Sequence, residues 1–245
     1  MIKNSQTSQI IVEFLGAPGA GKVDYRELVR SSLRDRWNTE IWELESVERI
    51  NIRDNQALLR ARFFLAILHR HINRIQQSYR NPLDGFETIM VRARFLNLHF
   101  KMLELGPSIA GFFLNSGMFH HFADEICEIM NDEIFTPDEY RAILGKYRGV
   151  IHLVTPKEMI LERLESRAKE PHYWNYKRVF GSHLDEFIDS AISIRAQLFK
   201  FLQLLGYWTV EIPGITEPKI NPEVVTIWEK EVLRFYSQPH REKHL

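Results

Sequence analysis

Gly16, Ala17, Pro18, Gly19, Ala20, Gly21 and Lys22 follow directly on the apolar run QIIVEFL. A glycine-rich turn that leaves a buried strand and enters a helix exposes successive backbone N–H groups. A lysine at its end adds a point charge directed at the β- and γ-phosphates of a nucleotide. These seven residues are a candidate nucleotide cradle with Lys22 as its catalytic cation; the alternative is a tight strand-to-helix turn with no ligand. The pattern G-x-x-x-x-G-K-S/T is met through Lys22 and broken at Val23, which has no oxygen to offer Mg²⁺. Asp24 comes next and admits three readings. Its carboxylate would repel a phosphate by on the order of 4 kcal/mol at about 4 Å and an effective dielectric of about 20. It would also complement the helix dipole by about 0.3–1 kcal/mol. Alternatively, it holds a metal itself.

Further candidates lie downstream. Arg163 and Arg167 stand at i and i+4 and so share one helix face, where their planar forks suit phosphate oxygens. The alternative is a solvated pair with Glu170 as the partner of Arg167. Glu43 and Glu45, at the end of a strand candidate, share one face and could take a hydroxyl proton, or form an exposed acidic strand end. His120 is a candidate cleft residue. The ten histidines, His69, His71 and His121 among them, show no H-E-x-x-H and no cysteine–histidine spacing, so no zinc site is expected. The aromatic run HYWNYKRVF, residues 172 to 180, could stack on a base or pack inside.

Alternating strands and helices must position these groups. Besides QIIVEFL, strand candidates are TEIWELE (39 to 45), SIAGFFLN (108 to 115), RGVIHLV (148 to 154) and YWTVEI. Residues 24 to 36 continue as a helix from the loop. Residues 55 to 78 carry Leu58, Leu59, Phe63, Leu65, Ile67, Leu68, Ile72 and Ile75 at helical spacing, and a second helix over about 84 to 105 stops at Gly106-Pro107. TPDE (136 to 139) and TPKE (155 to 158) each place threonine at the N-cap, proline at N1 and glutamate at N3, the pattern of a capping box. Ser182 opens a long helix that ends before Gly206, and Asn221-Pro222-Glu223 starts the last one. This order predicts an α/β fold, a parallel sheet with helices on both faces and ligands outside the carboxyl ends of its strands.

The 245 residues are 44% apolar, enough for a substantial core, and the 32 acidic and 32 basic residues cancel. No global field recruits nucleic acid. A single cysteine, Cys127, excludes an intrachain disulfide and fits a reducing compartment. With neither a signal core nor a run of roughly 20 apolar residues, a cytoplasmic protein that does not enter membranes is expected.

In motif order the chain resembles the P-loop nucleoside and nucleotide kinases, most closely the thymidylate-kinase-like branch, over about residues 10 to 233. Beyond the loop, MVRARFLNLHFKMLELG (90 to 106) resembles the arginine-bearing helix that contacts the phosphoryl acceptor. FFLNSGMFHHFAD (112 to 124) falls where that family has its strand-three acidic motif, and HLVTPKEMILERLESRAKE (152 to 170) resembles the strand and helix leading into the arginine-bearing lid. The resemblance implies one P-loop domain over 1–245: a three-layer sandwich with a five-stranded parallel sheet of order 2-3-1-4-5, a helical insert at about 54–106 and a lid-like segment at about 163–180. It implies ATP as cofactor, Lys22, Arg163 and Arg167 as catalytic residues, and Glu43, Arg94, Asn115 and His120 toward an unidentified small hydroxyl acceptor. Arg92 and Arg94 lie on different faces, so one of them at most enters the cleft. Asn115-Ser116 stands where the family has an aspartate followed by arginine, glutamate or glutamine. With Val23, that departure removes a second metal ligand, so weak ATP binding with little gain from Mg²⁺ is expected. Two readings follow: an ATP-dependent kinase with impaired transfer, and an inactive kinase-fold binding or regulatory module. A non-kinase ATPase or GTPase fits less well, since the strand-three aspartate and a guanine-reading N-K-x-D are both missing. A homodimer is left open.

Overall fold

The apolar run IIVEFL forms β1 (Ile10–Leu15), and Ile11 through Leu15 are all buried. β1 pairs in parallel with β2 (Phe112–Leu114) on one side and with β3 (Tyr147–Val154) on the other; β3 in turn pairs in parallel with β4 (Trp208–Pro213). The sheet order is β2-β1-β3-β4. A parallel central strand is covered on both faces by its crossover helices, which is why β1 reads as a near-continuous apolar run. The computed structural model describes residues 10–22, 57–78, 82–103, 112–114, 117–145, 147–167, 169, 180–214 and 230. The strand candidate at 39 to 45, most of the helix after the loop, residues 172 to 179 of the aromatic run and the helix expected from Asn221 lie outside them. The four observed strands correspond to the first, third, fourth and fifth candidates, in the relative order expected; the five-strand order itself needs the strand that lies outside.

Two long helices, α1 (Ala57–Ser78) and α2 (Pro82–Leu103), lie between β1 and β2 in sequence. The buried stripe of α1 differs from its apolar pattern. At about 100° per residue, Arg60, Phe63, Ile67, His71 and Arg74 share one face, whereas Leu58 and Leu65 lie nearly opposite. Phe63 and Ile67 are fully buried, but Leu58 is 78% and Leu65 64% exposed. Of the polar members of the stripe, His71 and Arg74 are paired with acids, and Arg60 lies over the Phe100 ring. His71 Nδ1 lies 2.8 Å and Arg74 Nη1 2.9 Å from Glu125 Oε1, and the guanidiniums of Arg70 and Arg74 reach Asp132 and Glu128.

Three short helices follow β2: α3 (Met118–His121), α4 (Ala123–Asn131), which carries that acidic ladder, and α5 (Pro137–Leu144). The expected capping box at Thr136 is formed, with Glu139 N–H donating to the Thr136 hydroxyl and the Thr136 N–H donating to the Glu139 carboxylate. α6 (Lys157–Arg167) leads from β3 toward the site, and α7 (Leu184–Leu204) follows a 3-10 turn at Gly181–His183. One apolar core packs Leu15 and Val150 of the sheet against α1 to α5 and α7, including Leu96, Phe119, Ile126, Ile143 and Leu202. A second joins Ala17 of the loop to Ile160 and Leu164 of α6 and Ile188 and Ala191 of α7. Among the described residues no helix is long and apolar enough to cross a membrane.

Candidate functional site

The loop after β1 turns on Gly19 and Gly21, whose φ angles of 83° and 90° lie in the left-handed region that an L side chain rarely adopts. Ala20 N–H closes the turn onto the Ala17 carbonyl at 3.1 Å. The loop's carbonyls are then tied to the rest of the fold. Lys22, the first residue of the next helix, folds back so that its Nζ donates to the carbonyls of Gly16 at 2.9 Å and Ala17 at 3.0 Å. Arg195 Nε of α7 donates to Gly16 at 3.1 Å, Arg163 Nη1 of α6 to Gly19 at 3.1 Å, and the Thr155 hydroxyl to Ala20 at 3.1 Å. In a trans peptide the C=O and the following N–H point in opposite directions. Holding the Gly16 and Ala20 carbonyls against the fold therefore aims the N–H groups of Ala17 and Gly21 the other way. The result is a glycine turn with oriented amides and a buried cation at its end.

Positive charge crowds this turn. Burial pushes the Lys22 ammonium down to about 7, with Arg195 and then Arg167 adding to the effect and Glu13 opposing it. His120 and His121 of α3 face the same charges. Burial first, then Lys22 and His121, hold His120 well below its usual range, and burial with Arg92 pushes His121 down to about 3. His120 Nδ1 and His121 Nε2 are buried without a hydrogen-bond partner.

Beneath the turn lies Glu13, an acid on the central strand. Its carboxylate accepts from Arg148 Nη2 at 2.5 Å and from the His120 N–H at 3.0 Å. Arg148 also donates to the Leu144 carbonyl and stacks 4.1 Å above the Phe119 ring. Gly117 is required here, because a Cβ on it would come within 2.6 Å of the Glu13 carboxyl group.

Of the residues singled out in the sequence, Gly16 through Lys22 form one turn, Arg163 bonds to it, and Arg167 acts on Lys22 electrostatically. His120 lies at the same end, on the helix that follows β2. Arg94 is exposed, and Arg92 is the arginine of α2 that turns inward, donating to the His121 carbonyl with its guanidinium 5.7 Å from the Phe122 ring centre. Position 92 therefore replaces 94 as the inward arginine, because the two are about 200° apart on the helix. Val23, Asp24, Glu43, Glu45 and Asn115 lie outside the described residues. The capping box expected at Thr155 is a second correction: α6 begins at Lys157, one residue later than expected, and the Thr155 hydroxyl is turned onto Ala20. Phe180, the described end of the aromatic run, stacks on Phe187 at 4.0 Å, both rings half-buried at the edge of the second core.

Sequence reasoning missed Arg195, Glu13 and Arg148, the first two of which share one signal: each is a lone charge in an otherwise apolar buried stripe or run. Glu13 interrupts IIVEFL, and Arg195 interrupts the α7 stripe of Ile188, Ala191, Leu198 and Leu202.

Three positions offer a divalent metal little. Val23 offers no oxygen, Asn115 offers no charge, and Glu13 is engaged by Arg148. Among the described residues no group of three or more His, Cys, Asp or Glu is placed to hold one.

No family model and no curated protein matches the chain. Solved structures do match it, among them the deoxyadenosine kinase from M. mycoides with bound dATP: 12% identity, 91% of this chain and 98% of that one covered, and a TM-score of 0.48. An overlap that loose carries no inference about this chain.

Proposed function

We propose that the chain is a P-loop nucleotide-binding protein of kinase-like fold. Its nominal reaction is ATP-dependent phosphoryl transfer to a nucleoside, nucleotide or other small hydroxyl acceptor, with impaired Mg²⁺-dependent activity. The observation that supports this reading is the turn from Gly16 to Lys22, whose carbonyls are held from behind while a buried ammonium sits at its end. In that reading the loop amides and Lys22 hold the β- and γ-phosphates, and the Arg163 and Arg167 guanidiniums stabilise charge on the transferred group. The bond from the γ-phosphorus to the ADP oxygen breaks as the bond to the acceptor oxygen forms, and the acceptor's proton passes to a carboxylate, for which Glu43 or Glu45 is the candidate.

A second reading, a kinase-fold binding or regulatory module without transfer, is favoured by the metal-site departures at Val23 and Asn115 and by the engagement of Glu13 with Arg148. Calorimetric titration with ATP, ADP and sulfate, each with and without Mg²⁺, tests both. Weak binding of all three with little gain from Mg²⁺ is expected. No binding of any anion would remove the kinase reading and leave the module without a nucleotide, and an absolute Mg²⁺ requirement would promote Asp24 to metal ligand.

A further inference from the structure

α7 buries a stripe of Ile188, Ala191, Arg195, Leu198 and Leu202, apolar at every place but one. Arg195 is 6% exposed, and a buried guanidinium costs free energy unless its donors are satisfied. Its Nη1 donates to the Ala191 carbonyl at 3.0 Å on its own helix, and its Nε donates across to the Gly16 carbonyl at 3.1 Å. The same Gly16 oxygen accepts from Lys22 at 2.9 Å. Two buried cations therefore converge on one acceptor at the entrance of the turn. A neutral residue would have filled the stripe at lower cost, so the charge is placed for the loop.

We propose that Arg195 is a positioning residue of the anion site: it anchors the first peptide of the loop and holds a second buried cation beside Lys22 on the Gly16 carbonyl, so that an anion entering the loop brings a proton to the lysine. This rests on the nucleotide reading above only for the identity of the ligand. Among the described residues, the groups facing Lys22 are Arg195 from α7, Arg167 from α6, Glu13 from β1 and the two histidines of α3. The histidines are held uncharged at neutral pH, and Glu13 is paired with Arg148; burial is the largest cause of the low Lys22 value, and Arg195 is the first charge to add to it. An ammonium in that field is half deprotonated at about 7 when the loop is empty, and the negative charge of a phosphate reverses the balance.

The test is lysine side-chain NMR of the ligand-free protein across pH, with Arg195→Gln and Arg195→Lys as variants, followed by ATP titrations at several pH values. In the parent, Lys22 titrates at about 7 and inorganic phosphate raises its midpoint. Arg195→Gln raises the ligand-free midpoint by about one pH unit or more, and Arg195→Lys, which keeps the charge, rescues the low value. In binding, Arg195→Gln lowers affinity at pH 6.5 but reduces the loss between pH 6.5 and 8.5 by about tenfold, since Lys22 stays charged to higher pH. Arg195→Met, which retains the buried stem without the charge, carries the same test if the glutamine variant unfolds. A Lys22 midpoint unchanged in folded Arg195→Gln or Arg195→Met overturns the proposal. A midpoint that moves in a protein binding no ATP at any pH supports it and overturns the nucleotide reading instead.

Discussion

Arg148 Nη2 donates to Glu13 Oε2 at 2.5 Å across β3 and β1, with neither side chain exposed to any degree. Burial raises the Glu13 carboxyl above its usual value, with Arg148 opposing, and burial likewise lowers the Arg148 guanidinium. Each charge is held only by the other and by nearby polar groups. Removing one partner should therefore cost more than removing both. Glu13→Leu or Arg148→Met alone is expected to destabilise by about 3–5 kcal/mol, whereas the double variant loses much less, because no unpaired charge stays buried. Urea unfolding of the four proteins closes the cycle. Additive losses would mean that the two side chains do not depend on each other.

Lys22 gives the ligand-free protein a pH dependence of stated sign. Its folded value of about 7 lies below the ordinary 10.5, so between those values the unfolded chain binds the extra proton. Stability contributed by this group therefore rises as pH increases from about 7 toward 10, by at most roughly 1.4 kcal/mol per pH unit. Lys22→Met should flatten that rise. Urea midpoints at pH 6, 7, 8 and 9 for parent and variant measure it; parallel curves would show that Lys22 keeps its proton in the folded protein. Adding sulfate works in the opposite direction, because the anion favours the charged lysine.

Thr136 and Thr155 open near-identical sequences but have different partners. Thr136 exchanges hydrogen bonds with Glu139, and its loss in Thr136→Ala is expected to cost about 1 kcal/mol of stability without touching anion binding. Thr155 holds the Ala20 carbonyl, so Thr155→Val is expected to cost about 1 kcal/mol and also to weaken sulfate or ATP binding several-fold, by freeing a loop peptide. Paired melting and binding measurements separate them. Equal binding in the two variants would assign Thr155 to stability alone.

The parallel sheet and the loop were legible because QIIVEFL and the glycine spacing are local signals that tertiary context does not overturn. Each of the four described strands lies within one residue of its candidate segment, β3 starting one residue early at Tyr147 and β4 ending one residue late at Pro213, and α1 falls within two residues of its expected start. What escaped was set by packing. Leu58 and Leu65 look as apolar as Phe63, yet the face that carries Phe63, Ile67 and His71 is the buried one, and Glu125 of α4 pairs with His71 and Arg74 there. Arg195 carried a signal in its apolar stripe, but the acceptor is 179 residues away at Gly16, and no spacing rule links them. Arg94 and Arg92 could be told to lie on different faces, but which of them turns inward depends on where α2 packs against α3.

The departures at Val23, Asp24 and Asn115 separate a degraded phosphoryl-transfer site from a loop that never served transfer, and repair distinguishes them. Val23→Ser restores the hydroxyl that Mg²⁺ coordination needs, Asp24→Thr removes a carboxylate that would face the phosphates, and Asn115→Asp restores the acid at the end of the third strand. None of these changes disturbs the described ties that hold the turn, since Lys22, Thr155, Arg163 and Arg195 keep their carbonyl partners. No single change completes a metal site, so the three should act non-additively. The triple variant is expected to bind Mg²⁺-ATP about tenfold tighter than the parent or better, which corresponds to roughly 1.4 kcal/mol. Calorimetry with and without Mg²⁺ measures that gain, and phosphoryl transfer to a panel of nucleosides and nucleotides measures whether an acceptor site survives. Tighter binding without transfer would mean that the acceptor side is lost as well. A folded triple variant that binds no better than the parent would show that metal coordination never limited this site, and the binding-module reading would then replace the kinase one.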